Sequence, residues 1–596
     1  MKKLAVQLGT LILAALLAAP ALAAKPGSDT TPPVTTATPP GGTFGSAITV
    51  SLTVDEPATI YYTTDGSNPS TQSTVFTDAL NIAQTTTLKF FAKDIANNSE
   101  AVKTEIYTIS TTPPPTGPHA DLSFTSLGMC VSCHTQQAND MYQSVHYQWQ
   151  GDTPQMLNQG GAMQGKISNS VNSYCINILG NWNGCGACHV GTGAQPVATA
   201  NPSTAQLQSI DCLLCHQKEY KRVRNAATGL FEPDTANMAI TMDQAVRTVH
   251  RPQRANCLQC HAKAGGGDAV KRGDLAMATA ATTDVNYDRH MATTGANLNC
   301  QSCHTFTNHR VAGRGSDLRS TDSAAVLECT NCHANKATST GHVTADVNRH
   351  VKRVACQSCH IPYYAKNAAD TAATEATETH RTWLGTHSTT PPLHPAGTKA
   401  NDLIPKYRHW NKYNTNYLLG DVAVLDPATG AYPTSRPAGG INDLASKLYP
   451  FKYKTAEQPI TLGSRQLIAL DTGYFFATAD PVESTKRGLA NMGMSRETPY
   501  EWVLTDTFQM LNHQVPPASA MLQCASCHGS TTQMDLKGEL GYALKAPSSV
   551  VCSQCHTAKN PTSYTKMHNH TNDRRQIDCS WCHTFSRPEL GRLMPN

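Results

Sequence analysis

Ten times along its 596 residues the chain repeats one pentapeptide, Cys-x-x-Cys-His, and nothing else in the sequence restricts the fold as much. The first five copies are Cys130, Cys133 and His134; Cys185, Cys188 and His189; Cys212, Cys215 and His216; Cys257, Cys260 and His261; and Cys300, Cys303 and His304. The other five are Cys329, Cys332 and His333; Cys356, Cys359 and His360; Cys524, Cys527 and His528; Cys552, Cys555 and His556; and Cys579, Cys582 and His583. Composition alone predicts ~0.03 copies, so chance is excluded. The motifs consume 20 of the 21 cysteines and leave Cys175. That odd count rules out complete internal disulfide pairing.

The spacing has a chemical reason. Two thiols three positions apart share one helical turn and can reach both vinyl groups of one porphyrin as thioethers, while the next residue offers an imidazole to the iron. Structural zinc would join two Cys pairs around one metal and would not require a His after every pair. The expectation is ten covalently attached haem c groups, each iron held on one side by its motif histidine. Fourteen histidines lie outside the motifs: His119, His146, His250, His290, His309, His342, His350, His380, His387, His394, His409, His513, His568 and His570. Ten irons need at most ten of them. Six-coordinate haems suit electron transfer, because their coordination changes little between oxidation states.

A net charge of +4 with 15% charged residues, and no dense Lys/Arg cluster, excludes a nucleic-acid partner. Lys2 and Lys3, the apolar run Leu4 to Leu17 and the small-residue site Ala21-Leu22-Ala23 read as a signal peptide over 1–23. No later stretch of 18 apolar residues follows, so no transmembrane anchor is expected in the mature chain. The product is expected in the periplasm or outside the cell, at its surface. Without Lys2 and Lys3, and with about −1 per ferric and −2 per ferrous haem, the mature protein should carry roughly −8 to −18.

The reading is multidomain: a small β-sandwich, then a mainly α-helical or irregular multihaem cytochrome c domain. Residues 24–42 form a Pro/Thr-rich linker. Residues 43–110 form the sandwich, with alternation at Ile48, Val50, Leu52 and Val54, further β-rich runs, and a turn at Asp65-Gly66. Residues 111–118 form a stiff Pro-rich linker. Seven motifs then lie between Cys130 and His360, none over 361–523, and three between Cys524 and His583. At about 33 residues per motif in the first block, the porphyrins themselves must supply much of the apolar interior. The motif-free insert, with Trp383, Trp410 and Trp502, is expected to wrap the haems. Its five histidines, His380, His387, His394, His409 and His513, read more readily as surface or propionate contacts than as ligands.

Two resemblances sharpen this reading. The stretches Ala58–Ser70 and Thr86–Asp94 resemble the immunoglobulin-like module at the C-terminus of chitobiases and hexosaminidases. This implies a spacer, or a contact to a surface or polysaccharide. Ser144-Val-His-Tyr-Gln-Trp149, Ser173-Tyr-Cys175, Asp211–His216, Gly265–Leu275, Thr307-Asn-His-Arg310, Val354–Pro362, Leu448–Lys452 and Leu511-Asn-His513 resemble, in order, the octahaem tetrathionate reductase family. That family is related to multihaem nitrite reductases and hydroxylamine oxidoreductases. The likeness spans about 118–541 and implies an octahaem core over 119–541 that includes the 361–523 insert. Residues 542–596 are then a two-haem extension that the family lacks.

The family ligates its second, catalytic haem with a lysine, and the matching residue is Lys271 of Gly265-Gly-Gly-x-x-x-Lys271. Only a neutral amine binds iron, so such a lysine must be held below its usual pKa. Read without the resemblance, Lys271 sits beside Arg272 in a solvated basic loop. The other distal ligands carry over as His119, His146, His290, His309, His342, His350 and His513. His568 and His570, between the two added motifs, are the natural ligands there. Cys175 falls on a family position near the catalytic haem; its alternative is an inert buried thiol. The implied activity is an oxidoreductase that takes electrons from a redox partner protein and reduces tetrathionate, nitrite or hydroxylamine. A non-enzymatic conduit to an external acceptor is the alternative.

Overall fold

The computed structural model describes residues 29–544, except 45–46, 110–116, 159–160, 162, 194, 198, 200, 316, 324, 339, 441–442, 529–531, 537 and 541, together with 550 and 582–585. The expected signal peptide lies outside the described residues. So do Cys552, Cys555 and His556 of the ninth motif, Cys579 of the tenth, and His568 and His570. Of the tenth motif, Cys582 and His583 are described. The chain divides into two compact units, Met1–Pro115 and Thr116–Asn596.

The first unit is built from β1 (Thr35–Thr38), β2 (Gly42–Phe44), β3 (Ile48–Val54), β4 (Ala58–Thr63), β5 (Thr74–Val75), β6 (Leu80–Ile82), β7 (Thr86–Asp94) and β8 (Lys103–Ile109). One sheet has the order β1-β3-β6 and the other β2-β8-β7-β4-β5. The two-residue period of β3 buries Val50 and Leu52, which pack with Ile60, Leu88, Phe90 and Tyr107. The stretch expected to be linker over 24–42 needs correction, because β1 lies inside it and pairs antiparallel with β3. Its Thr35 and Ala37 are buried and alternate with exposed Thr36 and Thr38. β-branched threonines suit a pleated surface even where Pro and Gly flank them.

The second unit is irregular around the motifs. Its motif helices are short, as in Leu213–His216, Arg254–His261, Cys356–His360 and Cys524–His528. Elsewhere single turns suffice: the amides of His134, His304 and His333 donate to the carbonyls of Cys130, Cys300 and Cys329 at 2.9, 2.8 and 2.8 Å. Each bond closes one turn that holds both thiols and the imidazole.

The motif-free insert forms a sheet of β9 (Thr377–Thr386), β10 (Pro395–Ala400), β11 (Lys406–Trp410), β12 (Asn414–Asn416), β13 (Tyr432–Pro437), β14 (Lys447–Thr461) and β15 (Tyr500–Met510). The order is β10-β9-β14-β15-β13-β12, with β11 also on β14. β14 and β15 pair antiparallel from Phe451↔Met510 to Thr461↔Tyr500, while β9 joins β14 in parallel. One face packs Trp410, Tyr449, Phe451 and Phe508 with Leu318 and Ala355. Another core holds Trp383 and Phe475, edge to face at 4.9 Å. The sheet is stitched to the motif segments: Ala355 donates to the Leu448 carbonyl at 2.9 Å, and Val354 bridges Leu448 in parallel.

Candidate haem centres and the Lys271–Cys175 site

Histidines far apart in sequence face each other in this unit. Ring centroids are 6.0 Å apart for His119 and His134, 6.0 Å for His146 and His261, and 6.2 Å for His290 and His333. They are 6.2 Å apart for His304 and His513 and 6.0 Å for His350 and His528. Two metal–nitrogen bonds of about 2 Å, with each nitrogen about 1.1 Å from its ring centre, would set facing imidazoles about 6.2 Å apart. The observed spacing therefore fits one iron per pair. Spacing alone is not selective, since His387 and His394 stack at 5.9 Å with no motif beside them. What distinguishes the five pairs is that one ring of each belongs to a Cys-x-x-Cys-His turn. His309 is an electrostatic neighbour of His216, and His342 of His360. Each of the seven histidines named by the resemblance thus lies beside a motif histidine, His513 of the insert included.

The attachment thiols also meet across motifs. Cys130 reaches Cys212, Cys188 reaches Cys260, Cys257 reaches Cys300, and Cys329 reaches Cys356 within hydrogen-bonding distance. Cys303 neighbours Cys332, and Cys359 neighbours Cys527. The second motif joins this series through the fourth. The strand Tyr542–Leu544 pairs with His583–Phe585, which brings the tenth motif histidine's backbone beside residues following the eighth motif.

In the polypeptide itself Cys133, Cys303, Cys329, Cys332 and Cys524 are open to their surroundings, as thiols that take a porphyrin must be, and Cys582 is half-buried. Cys133 caps the short turn Leu127–Ser132, and the Ser132 hydroxyl stands 3.8 Å from its sulfur. Cys130 of the same motif is turned towards Cys212 and is half-buried. Cys555 lies outside the described residues, and its place among these thiols rests on the motif alone.

The second motif differs from the rest. The His189 ring is fully buried among Tyr147, Trp149 and Trp182, with centroids 5.1, 5.1 and 5.3 Å away, and its Nε2 bonds the Tyr147 carbonyl at 2.6 Å. Burial pulls its imidazole down to about 4. Lys271 Nζ pairs with Asp317 Oδ2 at 2.6 Å. The amide of Cys175 bonds Asn172 Oδ1 at 3.0 Å, and its thiol neighbours Cys185 of this motif.

Lys271 and the segment bearing Cys175 converge on Gly265. That residue has φ +88°, and a Cβ there would meet Lys271 Cβ at 3.0 Å and Tyr174 Cδ1 at 3.1 Å. Only glycine admits both the backbone and the approach. Four basic side chains surround the Tyr174 ring: Lys454 Nζ lies 4.2 Å from its centroid, Arg381 5.3 Å, Lys452 5.6 Å and Lys271 5.6 Å. Glu378 offsets part of this charge, pairing with Arg381 at 2.8 Å and Lys454 at 3.2 Å. Burial pulls Lys454 down to about 7 despite Glu378, and pulls Lys452 well below the usual lysine range. Burial also pushes the Tyr174 hydroxyl well above its usual range, so Tyr174 stays neutral and donates to Gln509 Oε1 at 3.1 Å.

Sequence reasoning named Lys271 and Cys175 but missed Arg381, Glu378, Lys452, Lys454 and Asp317. Glu378 and Arg381, three apart in a strand, would ordinarily face opposite sides. A register shift between Glu378 and His380 turns them to the same side.

Comparison with known proteins agrees with this geometry. Residues 39–104 match the family model "Chitobiase/beta-hexosaminidase C-terminal domain", 129–217 match "Cytochrome c554 and c-prime", and 397–531 match "Cytochrome c bacterial". An uncharacterized protein of Archaeoglobus fulgidus is 27% identical over 227 residues, 30% of this chain and 73% of that protein. The crystal structure of an octaheme cytochrome c from Shewanella oneidensis superposes with a TM-score of 0.59 at 26% identity, covering 71% of this chain and 96% of that one. Repeated attachment turns, facing histidines and cytochrome likenesses over the start of the motif-dense block and over the later insert lead to one identity. The chain is a multihaem c-type cytochrome, an electron-transfer protein with covalently bound haem c and an immunoglobulin-like module before the haem-binding unit.

Proposed function

We propose that the protein holds ten haems and is an exported oxidoreductase, periplasmic or at the cell surface, that takes electrons from a redox partner and reduces a small sulfur or nitrogen oxyanion, tetrathionate or nitrite, or hydroxylamine. Thioethers form at all twenty motif cysteines, Cys133, Cys555 and Cys582 included. His119, His146, His290, His309, His342, His350 and His513 would each hold an iron together with the motif histidine beside it, and Lys271 would hold the iron of the second motif. His568 and His570 serve the two added motifs. Bound there, haem supplies electrons and, where Lys271 can leave, an open coordination position. Lys271 must give up a proton to act as a ligand, and Asp317 Oδ2, 2.6 Å from Nζ, is placed to hold it. Cys175 presents a thiol beside the second motif, where a sulfur substrate would lie. The immunoglobulin-like module acts as a spacer or as a contact to a surface or polysaccharide.

One observation carries this reading: Lys271 and the Tyr174–Cys175 segment meet at Gly265 while Cys175 neighbours Cys185 of the second motif. The series of neighbouring thiols from Cys257 of the fourth motif to Cys527 of the eighth favours a second reading, a conduit without chemistry of its own. Near-infrared magnetic circular dichroism of the oxidised holoprotein separates the two. A Lys/His charge-transfer band that disappears in Lys271→Ala is the expected result, while ten bis-His irons inert to added ligand would leave only the conduit.

A further inference from the structure

We infer that Arg381 is a positioning residue that fixes the Cys175 thiol and the Lys271 loop relative to each other; this rests on the reading of Lys271 and Cys175 as active-site residues. Its guanidinium, on a residue only 4% exposed, places all five N–H donors. Nε donates to Glu378 Oε1 at 2.8 Å, and Nη2 donates to Glu378 Oε2 at 2.9 Å and the Gly265 carbonyl at 2.7 Å. Nη1 donates to the Tyr174 carbonyl at 3.0 Å and points to Cys175 Sγ at 3.9 Å.

Three chain stretches more than 80 residues apart are thereby held by one rigid fork. The Gly265 loop closes on its own lysine, since the Lys271 amide donates to the Ala264 carbonyl at 3.1 Å. Displacing Gly265 therefore displaces Lys271. Lys454, at 3.2 Å from Glu378, braces the carboxylate that orients the fork. A lysine at 381 has three donors on one point and cannot reach both loops and the carboxylate.

The mature holoprotein provides the test, because with the other cysteines in thioether bonds Cys175 is the only free thiol. Arg381→Lys, Arg381→Gln and Glu378→Gln are compared with wild type and with Arg436→Lys. Arg436 is a buried arginine of the same sheet whose partners are Asp506 and Asp426. The readouts are the Lys/His near-infrared band and the rate of Cys175 alkylation by iodoacetamide at fixed pH, followed by mass spectrometry. In the Arg381 and Glu378 variants the band should shift or vanish and the alkylation rate should change by ~10-fold, because both the thiolate character and the exposure of Cys175 depend on the guanidinium beside it. Arg436→Lys should lower thermal stability and move neither.

Wild-type behaviour of Arg381→Lys in both readouts overturns the inference. So does an equal response of Arg436→Lys, which would signal general loosening. If Arg381→Gln yields no folded holoprotein, Arg381→Lys and Glu378→Gln decide the question. A wild-type protein without a Lys/His band sinks the Lys271 reading separately, and alkylation alone then decides whether Arg381 holds Cys175.

Discussion

Cys175 is the residue whose chemistry is easiest to isolate, because every other thiol of the proposed holoprotein is tied to a porphyrin. Cys175→Ser removes the sulfur and keeps the shape. Tetrathionate turnover should then fall by ~10-fold or more with little change in the Soret spectrum. Undiminished turnover would remove Cys175 from the mechanism. Glu375 offers a different test at the same scale. It is 1% exposed, and burial, with Asp268 and Asp370 nearby, pushes its carboxyl up to about 7. The folded state therefore binds a proton that the unfolded state, titrating near 4.5, has lost. Stability from this group is full below about pH 4.5 and falls as pH rises through about 7. Glu375→Gln should therefore stabilise the protein by roughly 1–2 kcal/mol at pH 8 and by nearly nothing at pH 5. Thermal unfolding followed by circular dichroism at the two pH values measures that difference, and an equal shift at both would contradict it.

At the scale of elements, the motif turns and the insert sheet obey different rules. A motif turn needs only local hydrogen bonds such as His304 to Cys300, so five residues determine it. The insert sheet depends on long-range packing. Phe451 is fully buried between Trp410, Tyr449 and Phe508, with centroids 5.6, 5.0 and 5.7 Å away. Phe451→Ala should cost about 3–5 kcal/mol, read as a lower denaturation midpoint in urea. A loss below about 1 kcal/mol would mean that the sheet is not the scaffold of this unit. The sequence hides this sheet well. β14 carries Pro450 and Pro459, which argue against an interior strand, and Lys452 and Lys454, which argue against a buried one. The structure accommodates them because both ammonium groups find acceptors inside: Lys452 bonds the Tyr174 hydroxyl at 3.0 Å and the Lys271 carbonyl at 3.1 Å, and Lys454 pairs with Glu378. The sandwich was far more legible, since β3 alternates in plain view, although β1 was concealed by its Pro-rich surroundings.

For the whole molecule, charge gives the clearest prediction. The chain alone is formally +4. The ten ferric haems proposed, with ionised propionates, would add about −10 in total, so isoelectric focusing should place the mature holoprotein below pH 7 and the unloaded chain above it. A basic holoprotein would mean far fewer haems than motifs. An acidic particle would in turn be steered towards basic redox partners, with association weakening as salt rises.

What the sequence determined by itself is what five consecutive residues can do: where attachment motifs lie, how densely they crowd, and that a motif-free insert and a separate β-module interrupt or precede them. Thioether spacing and an adjacent imidazole are covalent, short-range requirements, so they survive as a pattern. The tertiary structure decided which ring faces which, as in His304 opposite His513 across 6.2 Å, and which charges gather around Tyr174. The second position of a metal is filled by whatever side chain the fold brings within about 2 Å of it, from any distance along the chain. A bulge that turns Glu378 and Arg381 to one side leaves no trace in residue spacing. The likeness to a known family could name Lys271 and Cys175, but only the packing of a buried guanidinium between two loops ties them to each other.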